Sequence, residues 1–219
     1  MTPASDISLP QLLAPGKLRL RLSRMRSLVR SHANLGALRR RLKNEYGSGL
    51  IFTIHPDDLM YLWYANGSPA QAQATYLKTG DKNMRELQTI MEQTGLGFGP
   101  DIRLLDFGCG YGRLTRFLAT RLHRSQIAVS DIDHKAVDFV ASTFGVSAFY
   151  SATDARELEH AETYDLILAI SLFSHLPEVA WKHWLAKLYD LLAPGGALVF
   201  TTQGPTLFDT LTAQTKTKA

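Results

Sequence analysis

The chain has 219 residues, 45% of them apolar, with 24 basic and 20 acidic side chains and a formal net charge of +4. That is enough chain for one domain with a full core and an additional element. One cysteine, Cys109, excludes an internal disulfide and a cysteine-ligated zinc site, so no metal is expected. No run approaches the ~20 apolar residues that span a bilayer, and no secretory h-region is present.

Charge is distributed unevenly. Between Lys17 and Lys43 stand ten basic residues and no acid, so the remainder is acidic on balance. Leu18, Leu22, Met25 and Val29 share a helical face ringed by Arg19, Arg21, Arg24, Arg26 and Arg30. A basic amphipathic helix suits an anionic membrane surface or an acidic partner, and less readily nucleic acid. The alternative is that the stripe packs on the rest of the protein and the arginines are solvated. Residues 1–50 are therefore read as a helical extension and 51–99 as a helical lid. Ser68-Pro69 and Asp81 look like helix starts, Gly80 and Gly95 like stops, predicting helices over 69–79 and 82–94.

Residues 100–219 carry an alternation of strands and helices. The stretch 103–117, RLLDFGCGYGRLTRF, runs from an apolar strand through an acid and three alternating glycines into a helix. That order places a ligand loop at the carboxyl end of a parallel strand. Asp106 stands at the strand end, where it can accept from an ammonium or a water. The spacing D-x-G-x-G-x-G is neither the G-x-G-x-x-G of a dinucleotide site nor a P-loop, which needs a lysine. QIAVSD, residues 126–131, is a second strand ending in Asp131, 25 residues beyond Asp106. An acid there suits two ribose hydroxyls, while Asp133 is placed to cap the next helix. A third strand over 148–151 precedes Asp154, which either reads a ligand or caps a helix over 155–158. YDLILAI, residues 164–170, is the fourth strand and leads to SLFSHLP. A helix over 178–193 follows, stopped by Pro194-Gly195-Gly196, and 197–202 is the fifth strand.

These segments together resemble the class I S-adenosylmethionine-dependent methyltransferases. DFGCGYGRLTRF is similar to their first motif, LAPGGALVFTT to their last recognisable one, and the likeness covers about 104–202. The resemblance implies an α/β Rossmann-like sheet in the order 3-2-1-4-5, with strands six and seven missing because the chain ends soon after strand five. Residues 204–218 can supply one helix and a tail, which reads as a truncated or naturally short domain. An uncovered fifth strand is a pairing surface for a homodimer.

The cofactor implied is S-adenosyl-L-methionine. Its implied contacts are Tyr76, Asp106, Gly108, Cys109, Gly110, Gly112, Asp131, Ile132, Asp154, Ala155 and Ser171. Asp131 would hold the ribose and Asp154 the adenine amino group. Tyr76, in a Y-L-x-x-G segment similar to one in bacterial members, would lie near the amino-acid end. His175 is the candidate general base, since it follows the fourth strand at the ligand end and histidine has a suitable intrinsic pKa; the alternative is a bond to the helix start. Phe173 is a candidate pocket wall.

No Asn-Pro-Pro-aromatic follows the fourth strand, the cysteine lies inside the glycine loop, and no acid pair brackets the fourth-strand loop. Those absences disfavour amide or exocyclic nitrogen, pyrimidine carbon and arginine as acceptors. What remains is a small molecule, a sugar or glycan, or a lipid headgroup, methylated at a hydroxyl. The segments SLFSHLPE and Y-L-x-x-G, similar to those of bacterial enzymes of surface-glycan assembly, tilt the reading toward a glycan or lipid-linked sugar. The expected setting is cytoplasmic, peripheral at the inner membrane face where residues 17–43 are free. The rival reading is a cofactor-binding regulator or scaffold without catalysis.

Overall fold

The computed structural model describes residues 15–65 and 68–202, with backbone alone at 15–22 and 24. The expected tail at 204–218 and the side chains of Leu18 and Leu22 lie outside the described residues. Helix α1 (Pro15–Tyr46) is followed by α2 (Leu59–Tyr64), α3 (Pro69–Thr94), β1 (Leu104–Phe107) and α4 (Thr115–Leu118). Then come β2 (Ile127–Asp131), α5 (His134–Phe144), β3 (Ser147–Tyr150), β4 (Tyr164–Ala169), α6 (Glu178–Asp190) and β5 (Leu192–Phe200). All strand pairs are parallel and the sheet order is β3-β2-β1-β4-β5, so the expected Rossmann-like topology stands.

Side chains alternate across a strand, and each face of the sheet has its own core. Leu104, Val129, Leu166 and Leu168 pack with Leu42 of α1, Met84 and Leu87 of α3, Phe117 of α4 and Val140 of α5. Leu105, Ala128, Ile167 and Ala169 pack on the other side with Trp184 and Leu188 of α6. Helix α3 thus shares a core with the sheet, whereas α2 has no buried residue.

Helix α1 divides in two. Leu35, Leu38, Leu42 and Tyr46 are buried, whereas Met25, Leu28 and Val29 are 61%, 46% and 68% exposed. The C-terminal half is tied to α3 through the buried Asp81, which accepts from Arg41 Nη2 (2.7 Å) and Tyr46 Oη (2.8 Å). Burial raises the Asp81 pKa, but hydrogen bonds from Arg41 and Tyr46 and the charges of Arg41 and Arg85 outweigh it and hold the carboxyl below its ordinary range.

Two boundaries differ from expectation. Residues 69–94 form one helix, not two, and Asp81 caps nothing. A Cβ on Gly80 would stand 2.5 Å from both the Arg113 carbonyl oxygen and Phe117 Cε2. Gly80 is therefore a contact point where α3 meets the chain after the glycine loop, at a cost in helix propensity of about 1 kcal/mol. At the other end α6 stops at Asp190, and Pro194-Gly195-Gly196 lies inside β5 beside a register shift at Tyr164/Leu166. An edge strand tolerates proline, and a Cβ on Gly196 would press on the carbonyls of Ala193, Tyr164 and Asp165. β5 is one of the sheet's two edge strands among the described residues, with β3 at the other side.

Candidate functional site

The loop after β1 is fastened to the end of β2. The Gly108 and Cys109 amides both donate to the Ser130 carbonyl, at 2.8 and 3.1 Å. The Gly110 amide donates to Asp131 Oδ2 (2.8 Å), and Asp133 N to Asp131 Oδ1 (3.0 Å). Gly110 has φ +50° and open space where a Cβ would stand; Gly112 has φ +76°, and its Cβ would meet Phe144 Cε2 at 2.6 Å. The first position thus leaves the backbone bare toward the cleft, and the second lets α5 close on the loop. Asp133 caps α5, accepting from the amides of Lys135 and Ala136, and also accepts from the Tyr111 hydroxyl at 3.0 Å. Burial and Asp133 push the Tyr111 pKa up to about 12.

Two cavities open at the carboxyl ends of the strands and share Gly108, Asp131 and Ile132. One, about 280 Å³, is largely apolar, walled by Phe107, Ala152, Leu172, Leu176 and Trp184. The other, about 360 Å³, is lined by Asp58, Tyr76, Cys109, Gly110, Tyr111, Arg113, Ser171 and His175. Eight of the expected positions therefore meet in the second cavity: Tyr76, Gly108, Cys109, Gly110, Asp131, Ile132, Ser171 and His175. Burial pushes the Cys109 thiol pKa well up and keeps it neutral. Ser171 has φ 63°, unusual outside glycine, and its amide donates to Thr201 Oγ1 at 2.7 Å. Such backbone strain is concentrated at functional positions.

Among the other expected positions, Asp106, Gly112, Asp154 and Ala155 line neither of these two cavities. Asp106 is buried and turned inward, where its Oδ2 accepts from Thr115 Oγ1 at 2.6 Å. Burial pushes its pKa up to about 6, although the Thr115 bond pulls the other way. Asp154 caps the turn Ala155–Glu157, and both its oxygens are engaged by Arg156. The Arg156 guanidinium holds that carboxyl well below the carboxylate range. Thr153, its neighbour, lines the apolar cavity instead. Ala155 and Phe173 are packed in the α6-side core. His175 is exposed in the turn Phe173–His175, its ring making no hydrogen bond to any described residue. Helix α6 begins at Glu178, with Pro177 at its N-cap position and no side-chain cap bond, so His175 is not its cap.

Three residues escaped the sequence reading. Tyr111 and Arg113 lie inside the glycine motif, where the glycines carry the stronger local signal. Asp58 had only a local signal, an acid after Pro56 and before LMYLWY, which marks a helix start: it caps α2 through Met60 N (2.9 Å) and Tyr61 N (3.1 Å). Nothing local connects it to a loop some fifty residues on; Arg116 does. That guanidinium is 1% exposed and donates through Nη1 to the carbonyls of Ile51 (3.0 Å) and Thr53 (2.9 Å), and through Nε to Gly112 O (3.1 Å). The segment carrying Asp58 is so held against the glycine loop, with His55 stacked on Tyr111 at 4.7 Å. Among the described residues no cluster of three or more metal-ligating side chains occurs, and no helix is long and apolar enough to cross a membrane.

The chain is similar to known methyltransferases. Residues 104–196 match the family model described as "Methyltransferase domain". The chain is 29% identical over 141 residues to trans-aconitate 2-methyltransferase of Streptomyces avermitilis, covering 62% of this chain and 52% of that one. It is 31% identical over 137 residues to the ubiquinone biosynthesis O-methyltransferase of Parvibaculum lavamentivorans, covering 57% and 53%. The chain thus spans about half the length of these curated relatives. Among solved structures it is similar to the N-methyltransferase NodS of Bradyrhizobium japonicum, with 26% identity, a TM-score of 0.45 and coverage of 57% and 72%.

Proposed function

Given that residues 104–196 are a class I S-adenosylmethionine-dependent methyltransferase domain, we propose that this chain methylates a hydroxyl of a small molecule, sugar, glycan or lipid-linked acceptor. The observation that carries the reading is the meeting of an apolar and a polar cavity at one carboxylate, Asp131.

The residues present fit the cofactor. An apolar slot with Trp184 and Leu172 suits a purine, Asp131 beside it suits vicinal hydroxyls, and the bare backbone at Gly110 admits close approach. The cofactor, when bound, supplies an electrophilic methyl group on a sulfonium. The protein's part is placement and the acceptor's proton. Asp131 accepts from the ribose, while His175 and Ser171 edge the larger cavity, where an acceptor hydroxyl reaches an imidazole with no other partner. The curated relatives include enzymes named for O-methylation, consistent with an oxygen acceptor here.

Calorimetric titration with S-adenosylhomocysteine tests the reading, with a dissociation constant in the micromolar range expected. Asp131→Ala should weaken binding by about 1.5–3 kcal/mol, because buried hydroxyls lose a charged acceptor. Unchanged affinity in the variant would remove Asp131 from the site. Binding without radiolabelled methyl transfer to any hydroxyl acceptor would leave a cofactor-binding regulator instead.

The exposed stripe Met25, Leu28 and Val29, set among Arg26 and Arg30, supports a peripheral contact with an anionic membrane surface. Co-sedimentation with vesicles containing phosphatidylglycerol is expected, weakening as salt screens charges beyond ~8 Å. Replacing Met25, Leu28 and Val29 together with serine should abolish it; retention by that variant would refute the contact.

A further inference from the structure

Two residues that line the larger cavity carry a buried polar atom with no hydrogen-bond partner, Asp58 Oδ2 and Tyr76 Oη. Asp58 and Tyr76 line the cavity, and their residues are only 3% and 0% exposed. A buried polar atom without a partner is costly, a carboxylate oxygen especially so. Asp58 is held there by two independent devices: its Oδ1 caps α2, and the segment before it is clamped by Arg116. The fold thus spends one oxygen on the helix and leaves the other buried without a hydrogen-bond partner.

The other carboxylates nearby each already accept hydrogen bonds from the protein. Asp131 receives the amides of Gly110 and Asp133, Asp133 caps α5 and receives Tyr111, and Asp106 faces Thr115 inside the protein. Asp58 lines this cavity with a carboxylate oxygen that no hydrogen bond satisfies, beside the Tyr76 hydroxyl that interacts with it, and Arg113 lines the same cavity. An acid and a guanidinium lining one cavity match a zwitterion. We propose, building on the cofactor assignment above, that Asp58 receives the α-ammonium of the cofactor's amino-acid end, near which Tyr76 is expected. The helical segment ahead of the sheet, and not the glycine-loop strand, then supplies the charge that tells the intact cofactor from its nucleoside fragment.

The test is calorimetry on the full chain with two probes, S-adenosylhomocysteine and 5′-methylthioadenosine, which keeps the adenosine and sulfur but has no amino-acid end. Asp58→Asn keeps an oxygen for the α2 cap and loses the charge. It is expected to weaken S-adenosylhomocysteine roughly 10- to 100-fold, the range for a bond to a charged group, and to leave 5′-methylthioadenosine within about twofold. Asp58→Ser, also a competent cap, should behave alike, which guards against one variant misfolding. Equal losses for both probes would mean that Asp58 only holds α2, and an undiminished S-adenosylhomocysteine affinity would equally overturn the proposal. Failure of the unmodified protein to bind either probe would instead strike the cofactor assignment itself.

Discussion

Replacing His175 with alanine is expected to lower methyl-transfer turnover by about 10²–10⁴-fold, the usual contribution of a general base, while leaving S-adenosylhomocysteine affinity within about twofold. The imidazole edges the larger cavity next to Ser171 but is absent from the apolar one, so it serves the acceptor rather than the adenosine. The structural alternative, a cap on α6, is not what the residue does: the helix starts at Glu178, with Pro177 at its N-cap position, and receives no side-chain cap bond. An exposed ring with no hydrogen bond to a described residue also contributes little to stability, and the variant's melting temperature should stay close to that of the unmodified protein. Turnover that persists undiminished would strike His175 from the catalytic set. Equal losses of turnover and of cofactor affinity would reassign it to cofactor binding.

Asp106→Asn is expected to make the protein more stable at pH 7.5, by roughly 1–3 kcal/mol, and to lose that advantage near pH 4. The buried carboxyl has its pKa pushed up to about 6 by desolvation, against an ordinary value near 4 in the unfolded chain. Between those values the native state holds a proton that the unfolded state has released. Stability from this group is therefore fully present below about pH 4 and declines as pH rises to about 6, by ~1.4 kcal/mol per unit. Asparagine removes the buried charge and still accepts from Thr115. Urea denaturation of both proteins at pH 4, 5.5 and 7.5 reads the difference; curves separated by the same amount at every pH would refute it. Asp81 acts with the opposite sign and in another window. Its depressed pKa stabilises the fold above the ordinary carboxylate value, and that contribution is lost only as pH falls below it.

The order of elements was legible because its signals are local. Apolar runs of strand length, each followed by an acid or glycines and then by helical spacing, put β1, β2, β3 and β4 near their observed places, and strand–helix alternation implies a parallel sheet. The glycine loop was equally plain, since positive φ at Gly108, Gly110 and Gly112 is a property of the residues themselves. Gly80 misled for the same reason. A glycine inside a helical pattern reads as a stop, and only the Arg113 carbonyl and Phe117 ring lying against it show that its missing side chain is a packing requirement.

The sequence by itself determined the fold class, the loop and the cofactor class, because strand periodicity, glycine dihedrals and acids at strand ends act within a few residues. Only the tertiary structure decided which carboxylates reach the cleft. Asp106 is spent on Thr115 and Asp154 on Arg156, while Asp58 is brought to the cavity by a buried arginine bonded to carbonyls more than sixty positions away in the chain. A side chain's residue type shows what it can bind; which partner it meets depends on packing between distant segments, and an unpaired buried oxygen exists only once that packing has closed around it.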